Sequence, residues 1–109
     1  MSVFSLNKSS QESKILRVLQ HRFFITARRN KILAKWAGGR LGYTGSELSK
    51  YIRKIVLSHI VLPNDRKLVD KIESDFIKNK IAVTREEIEH KMRTAESRAE
   101  KRSTENDDN

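Results

Sequence analysis

The chain has 109 residues, of which 37% are hydrophobic and 34% charged, and its formal net charge is +9. This length allows one small domain. Leu, Ile, Val and Phe together contribute 29 of the 109 residues, above the roughly 20% that is typical of disordered chains. One Pro and four Gly are too few turn residues for an all-β sandwich. The composition therefore predicts a compact, mostly helical domain.

The absence of cysteine excludes a disulfide framework, thiolate metal sites and cysteine nucleophiles. No run of about 18 apolar residues occurs, so we expect no membrane insertion. Residues 1–14 lack the apolar core of a secretory signal, and we expect a cytoplasmic protein. Residues 2–31 carry seven basic residues and one acid, Glu12. Transit peptides are likewise rich in basic residues and poor in acidic ones. We favour this transit-peptide interpretation less, because the segment runs without a break into a predicted core helix.

Apolar spacing and capping residues predict four helices. The first runs from about Ser13 to Leu41, and Gly42 or Gly45 can end it in the left-handed conformation. Thr44 and Glu47 have capping-box spacing and open the second helix, which Pro63 stops. The predicted core face of the first helix comprises Phe23, Ala27, Asn30, Leu33, Ala37 and Leu41, with Trp36 beside it. That of the second comprises Leu48, Ile52, Ile55, His59 and Leu62, with Tyr51 and Val56 adjacent.

The third and fourth helices are also predicted from their caps. Asn64 caps the third helix, and Thr84 with Glu87 repeats the capping-box spacing at the start of the fourth. The third apolar stripe comprises Leu68, Ile72 and Phe76, widened by Val69 and Ile77, and the fourth comprises Ile88, Met92, Ala95 and Ala99. The prediction is an all-α fold, a small four-helix bundle with a long first helix and a mobile N-terminal arm.

We divide the chain into a flexible arm (residues 1–14), a helical bundle domain (15–102) and a disordered acidic tail (103–109). Residues 1–12 offer only Val3, Phe4 and Leu6 as apolar side chains, too few to offset the cost of ordering. The next apolar residues lie N-terminal to the predicted core face: Ile15, Leu16, Val18 and Leu19. Unpartnered apolar surface on a basic helix usually binds a partner.

No catalytic site is indicated, and we predict that the protein is not an enzyme. His21, His59 and His90 lie on different segments without metal-ligand spacing, so no metal or other cofactor is expected. No Ser lies in a Gly-x-Ser-x-Gly motif. The Gly-rich residues 38–45 lack the Gly-Lys-Ser/Thr ending and the preceding strand of a phosphate-binding loop, and they fit a helix-ending turn better.

The positive charge favours an anionic partner, and several partner classes remain open. The predicted basic patch comprises Arg17, Arg22, Arg28 and Arg29. It can dock on an acidic protein surface or on nucleic-acid phosphates. A small basic nucleic-acid-binding protein is the alternative hypothesis, although no aromatic platform accompanies the patch. Membrane binding is favoured less, because the apolar residues from Ile15 to Ile25 are spread around the helix.

Residues 27–37 carry a resemblance to a known family. They have the sequence Ala-Arg-Arg-Asn-Lys-Ile-Leu-Ala-Lys-Trp-Ala and are followed by Leu41-Gly42 and Thr44-Gly45, with weaker matches at Tyr51, Val56, Ile88 and Lys91-Met92. Over roughly residues 23–92 the chain resembles the zeta subunit family, small inhibitory proteins of the alphaproteobacterial F-type ATP synthase.

The resemblance implies a regulatory bundle whose N-terminal segment inserts at a catalytic α/β interface, beside the γ subunit, and blocks ATP hydrolysis. The alpha, beta and gamma subunits would then be the partners, at the cytoplasmic face of the inner membrane, and we expect a monomer. The predicted contacts of the inhibitory arm are Phe4, Leu6, Glu12, Lys14, Ile15, Leu16 and Leu19. The basic patch is expected to orient binding, while Asn30, Leu33 and Trp36 hold the bundle.

The arm departs from the family pattern after Phe4. Similar proteins place mixed acidic and basic residues there, whereas this chain has Ser5-Leu6-Asn7-Lys8-Ser9-Ser10. Acidic groups that would pair with arginines of the partner are mostly missing. We therefore predict docking on the synthase with weak inhibition.

Overall fold

A computed structural model describes the backbone of residues 6–107 and the side chains of residues 10–102. It contains four helices: α1 (Leu6–Arg40), α2 (Gly45–Val61), α3 (Asp65–Lys78) and α4 (Arg85–Asp107). No strand occurs within the described backbone. The predicted all-α fold with four helices and a long first helix is therefore confirmed.

The helices alternate in direction around the bundle. At one end Gly38 of α1 lies against Tyr51 of α2, and at the other Arg29 is linked through Asp65 to His59, so α1 and α2 are antiparallel. α1 packs mainly on α2 and α4, and α3 packs on the same two helices. This arrangement is an up-down bundle with α1 and α3 on one diagonal.

The core is built from the apolar faces of all four helices. Its largest fully buried apolar side chains are Leu33, Ile55, Ile72, Phe76 and Ile88. Trp36 is half-buried and packs edge-on against Phe76, with ring centroids 5.7 Å apart. This contact ties α1 to α3 across the bundle, because aromatic pairs favour edge-to-face geometry.

Three residues predicted for the core are exposed instead: Phe23, Leu62 and Ile77. The prediction for them was wrong because each lies at or beyond an end of the helix pairing. α2 ends at Val61, so α1 loses its α2 neighbour N-terminal to Arg28. Ile77 lies in the last turn of α3 and is 69% exposed.

Two of the three predicted caps form. The Asn64 side chain accepts a hydrogen bond from the Lys67 amide at 3.0 Å. At the start of α4 the Glu87 amide donates to Thr84 Oγ1, and the Thr84 amide donates to Glu87 Oε2, a complete capping box. Thr44 stands at the N-cap of α2 but its side chain makes no capping hydrogen bond, so that capping-box prediction was wrong.

α1 and α3 end in the same backbone motif. Gly42 (φ 91°) and Lys80 (φ 57°) are both left-handed. The amide of each donates to the carbonyl three residues earlier, and the next amide reaches back five residues, Tyr43 to Gly38 and Ile81 to Phe76. These are the two hydrogen bonds of a Schellman motif. The sequence predicted a left-handed glycine cap at Gly42 or Gly45, and Gly42 forms it.

Helix α1 begins earlier and α4 ends later than predicted. α1 starts at Leu6 rather than Ser13, and α4 continues to Asp107. No Gly or Pro occurs in the added residues 6–12 and 103–107, so nothing in the backbone stops either helix there. Residues 1–5 lie outside the described residues. The mobility of the arm and the disorder of the tail stay predictions.

Candidate docking surface on the first helix

The N-terminal half of α1 extends past the end of α2 and carries exposed apolar side chains. α1 has 35 residues, which corresponds to a helix about 52 Å long at about 1.5 Å per residue. The molecule measures 57 × 32 × 28 Å, so α1 spans almost its whole length. α2, with 17 residues, covers only the C-terminal half of α1.

Four of these exposed side chains lie on one side of the helix. Successive α-helical residues are turned by about 100°, which places Ile15, Leu16, Leu19 and Phe23 within an arc of about 100°. Each is between 52% and 59% exposed. Val18 and Phe24 lie outside this arc. We call these four residues the apolar arc.

The apolar arc continues the core face of α1. Asn30, Leu33 and Ala37 occupy the same side of the helix as Leu19 and are almost completely buried. The same face is thus covered by helices in the bundle and open to solvent beyond it. A face of this kind is suited to packing against a helix of another protein.

Basic residues occupy other sides of the protruding helix: by the same rotation Arg22 borders the apolar arc, whereas Lys14 and Arg17 lie nearly opposite it. Lys14, Arg17 and Arg22 are exposed, while Arg28 is half-buried. Glu12, also half-buried, lies within the angular range of the arc, one turn before Leu16. Of the other predicted arm residues, Leu6 begins α1, its side chain is not described, and Phe4 lies outside the described residues. The structure thus places the predicted residues from Glu12 to Arg22 on one protruding helix.

Arg29 belongs to the bundle interior and not to this surface. It is only 5% exposed, and its guanidinium donates to both oxygens of Asp65, with Nη2–Oδ1 2.8 Å and Nη1–Oδ2 3.1 Å. Nη1 also donates to Glu96 Oε1 at 3.1 Å, and Nε donates to Asn30 Oδ1 at 3.0 Å. These contacts join α1, α3 and α4.

His59 completes this cluster from α2. Its Nε2 lies 2.8 Å from Asp65 Oδ1, so Asp65 is shared between Arg29 and His59. The hydrogen bonds from Arg29, opposed by partial burial and assisted by His59, lower the pKa of the Asp65 carboxyl. We call Arg29, Asn30, His59, Asp65 and Glu96 the polar clasp. It connects all four helices at the point where α1 leaves the bundle.

No local pattern in the sequence predicts the polar clasp directly. Arg29 was assigned to the surface because it neighbours Arg28 and Lys31. One available signal was Asn30, a polar residue on the predicted core face, which requires a buried hydrogen-bond partner. Another was His59 on the core face of α2, six residues before Asp65.

The comparison with protein families gives a match over almost the whole chain. The model of the ATPase inhibitor subunit zeta family matches residues 1–102. The chain belongs to this family. The matched range includes the N-terminal arm, the apolar arc and the whole polar clasp. No curated protein and no solved structure matches the chain significantly.

The described part of this zeta-family chain shows two further properties. None of its helices is both long and apolar enough to span a bilayer. Among the described residues, the His, Asp and Glu side chains form no group that could hold a metal ion. The protruding helix offers exposed apolar side chains and positive charge.

Proposed function

We propose that this zeta-family chain is a regulatory subunit, without catalytic activity of its own, that inhibits ATP hydrolysis by the F-type ATP synthase. It binds the catalytic head, formed by the alpha, beta and gamma subunits, at the cytoplasmic face of the inner membrane. Family membership supports the inhibitor role. The observation that carries the proposal is the apolar arc, an exposed continuation of a core face on a basic helix.

The arm inhibits as a wedge. Ile15, Leu16 and Leu19 become buried when α1 packs into a catalytic interface, and that burial provides the main favourable free energy. The interface must open and close in each catalytic cycle, so a helix held in it stops turnover. Phe4 and Leu6 extend the same contact toward the N-terminus.

Charge guides the encounter. Lys14, Arg17 and Arg22 give the protruding helix a positive field, which accelerates association with an acidic face. Their contribution weakens as salt increases, because exposed charges are screened. Arg28, half-buried beside the bundle, contacts the partner only at the base of the helix.

Helix continuity lowers the cost of binding. α1 is described as one unbroken helix from Leu6 to Arg40, so the docking segment extends an element already anchored in the bundle. An anchored helix loses less conformational entropy on binding than a free peptide of the same sequence.

The test is inhibition of ATP hydrolysis by a cognate catalytic head. The full chain is compared with a chain lacking residues 2–14, and with the variant L16S/L19S, which removes two residues of the apolar arc. V18S is the matched control, because Val18 is equally exposed but lies outside the arc. We expect the truncation and L16S/L19S to lose inhibition, and V18S to retain it.

The nucleic-acid alternative predicts a different result. Binding to phosphates would fall steeply and log-linearly with salt and would not depend on Leu16 or Leu19. If the tagged chain recovers nucleic acid and no alpha or beta subunit from a gentle lysate, the inhibitor proposal is wrong.

A further inference from the structure

A second exposed apolar surface lies on the side of α2 that faces away from the core. Leu57 and Ile60 are about half exposed, and Val61 is 83% exposed. At about 100° per residue they lie roughly opposite the buried Tyr51 and Ile55. No repacking of the bundle can bury them, because α2 already presents its other face to the core.

The same side of α2 is strongly basic one to two turns N-terminal to Leu57. Lys50, Arg53 and Lys54 are exposed, and Glu47 is the single acid among the helix residues. We call these three cations, together with Leu57, Ile60 and Val61, the α2 outer face. It has a cationic half and an apolar half along one helix.

We infer that the α2 outer face is a second docking surface, which binds an acidic amphipathic helix on the catalytic head that the arm inhibits. The inference rests on the proposed function. An acidic helix with apolar residues at one end complements both halves of the surface: carboxylates meet the cations, and aliphatic side chains cover Leu57 and Val61.

Charge and composition favour this occupant over two others. A second copy of the chain offers no acidic residues from its own α2 outer face to meet Lys50, Arg53 and Lys54. A lipid surface is matched poorly, because the apolar half has three aliphatic side chains and lacks the Trp or Tyr that anchors interfacial elements.

The position of the surface supports a shared partner. α1 and α2 are antiparallel, so α2 ends at Val61 at the same end of the bundle from which α1 projects. A head that holds the apolar arc therefore lies near the end of α2. Once the arm is bound, contact with the α2 outer face is an intramolecular step with a high effective concentration.

The experiment measures binding of the full chain to an immobilised cognate head and inhibition at saturating concentration. L57S/V61S removes the apolar half of the surface. I77S is the matched control, because Ile77 is similarly exposed but lies at the opposite end of the bundle. Thermal melting by circular dichroism checks that every variant keeps the fold, as expected for exposed positions.

We expect L57S/V61S to raise Kd by about tenfold or more and to leave inhibition at saturation intact. I77S is expected to bind like the unmodified chain. K50Q/R53Q/K54Q is expected to slow association and to weaken its dependence on salt.

Three results would overturn the inference. If the unmodified chain binds and inhibits the head and L57S/V61S has the same Kd, the α2 outer face is not a docking surface. The proposed function then stands. If the unmodified chain does not bind the head, both the proposed function and the second docking surface are wrong. Flotation with phosphatidylglycerol vesicles that L57S/V61S abolishes assigns the surface to lipid instead.

Discussion

Arg29 in the middle of α1 donates to both carboxylate oxygens of Asp65, the first residue of α3. The guanidinium is buried while the carboxylate remains half exposed. The pair therefore fixes the start of one helix to the point where another leaves the bundle. It is strengthened by geometry, since a planar guanidinium matches a carboxylate through two parallel hydrogen bonds.

Replacing Arg29 should destabilise the fold even when the charge is kept. We expect Arg29→Lys to lower the free energy of unfolding by about 1–3 kcal/mol, because hydrogen bonds to Asp65, Glu96 and Asn30 are lost. Urea denaturation measures the change. Arg28→Lys is the control and should alter stability by less than about 0.5 kcal/mol. Equal effects at the two positions would show that the clasp contributes nothing.

Acid should weaken the bundle through Asp65. Its pKa is lowered in the folded protein by the hydrogen bonds from Arg29, so below about pH 4, the ordinary range of an Asp, the unfolded chain binds the proton first. The stabilisation is present above that pH and is lost as pH falls through the folded pKa. The difference in urea midpoint between the unmodified chain and Asp65→Asn should therefore shrink as the pH falls from about 5 through and below about 4. A constant difference across that range would contradict the prediction.

The two Schellman motifs allow a paired test. Gly42 occupies the left-handed position without strain, whereas Lys80 holds it with a Cβ, which is less favourable. We expect Lys80→Gly to stabilise the protein by about 0.5–1 kcal/mol and Gly42→Ala to destabilise it by about 1 kcal/mol. Thermal melts of both variants check the opposite signs. Two shifts of the same sign would be inconsistent with this account.

Trp36 should contribute substantially to stability although it is half-buried. Its edge-on contact with Phe76 joins α1 and α3, the pair that the Arg29–Asp65 hydrogen bonds also join. We expect Trp36→Ala to cost about 2–3 kcal/mol, below the roughly 3–5 kcal/mol of a fully buried aromatic. Trp36→Phe should recover part of this loss. A normal melting curve for Trp36→Ala would instead make the indole a candidate for contact with the partner.

The arm prediction concerns the missing acidic residues. Removing residues 2–14 should leave the melting temperature nearly unchanged, because the described side chains there are mostly exposed. The full chain should inhibit a cognate synthase weakly, and S5E should strengthen inhibition by supplying a carboxylate for an arginine of the partner. ATPase assays decide this. Strong inhibition by the unmodified chain would show that Phe4, Glu12 and the apolar arc suffice.

Local signals in the sequence predicted most of the helices. Asn64 and the Thr84–Glu87 pair begin helices as expected because their caps depend on residues three apart. Thr44 begins α2 without its side-chain bond, since Gly45 takes a left-handed φ of 55° immediately after it.

The ends of the bundle could not be predicted in the same way. Phe23 has the spacing of a core residue, but its burial depends on how far α2 reaches along α1. The hydrophobic periodicity of α1 carries no information about that distance. Arg29 has the spacing of a surface cation, but it meets Asp65 only after the chain has turned twice, and Glu96 only after it has turned three times. The candidate surface was therefore predicted residue by residue, while its limits came from the structure.

The unbroken course of α1 has a consequence for how this family can vary. Because each residue turns the helix by about 100°, inserting a single residue between Phe23 and Arg29 would rotate the apolar arc by about that angle relative to the bundle. Insertion of seven residues, close to two full turns, would move the arc outward by about 10 Å and restore its direction. The length of the protruding helix can therefore change in steps of whole turns. The direction in which the apolar arc faces is fixed relative to the bundle, because the polar clasp holds α1 there.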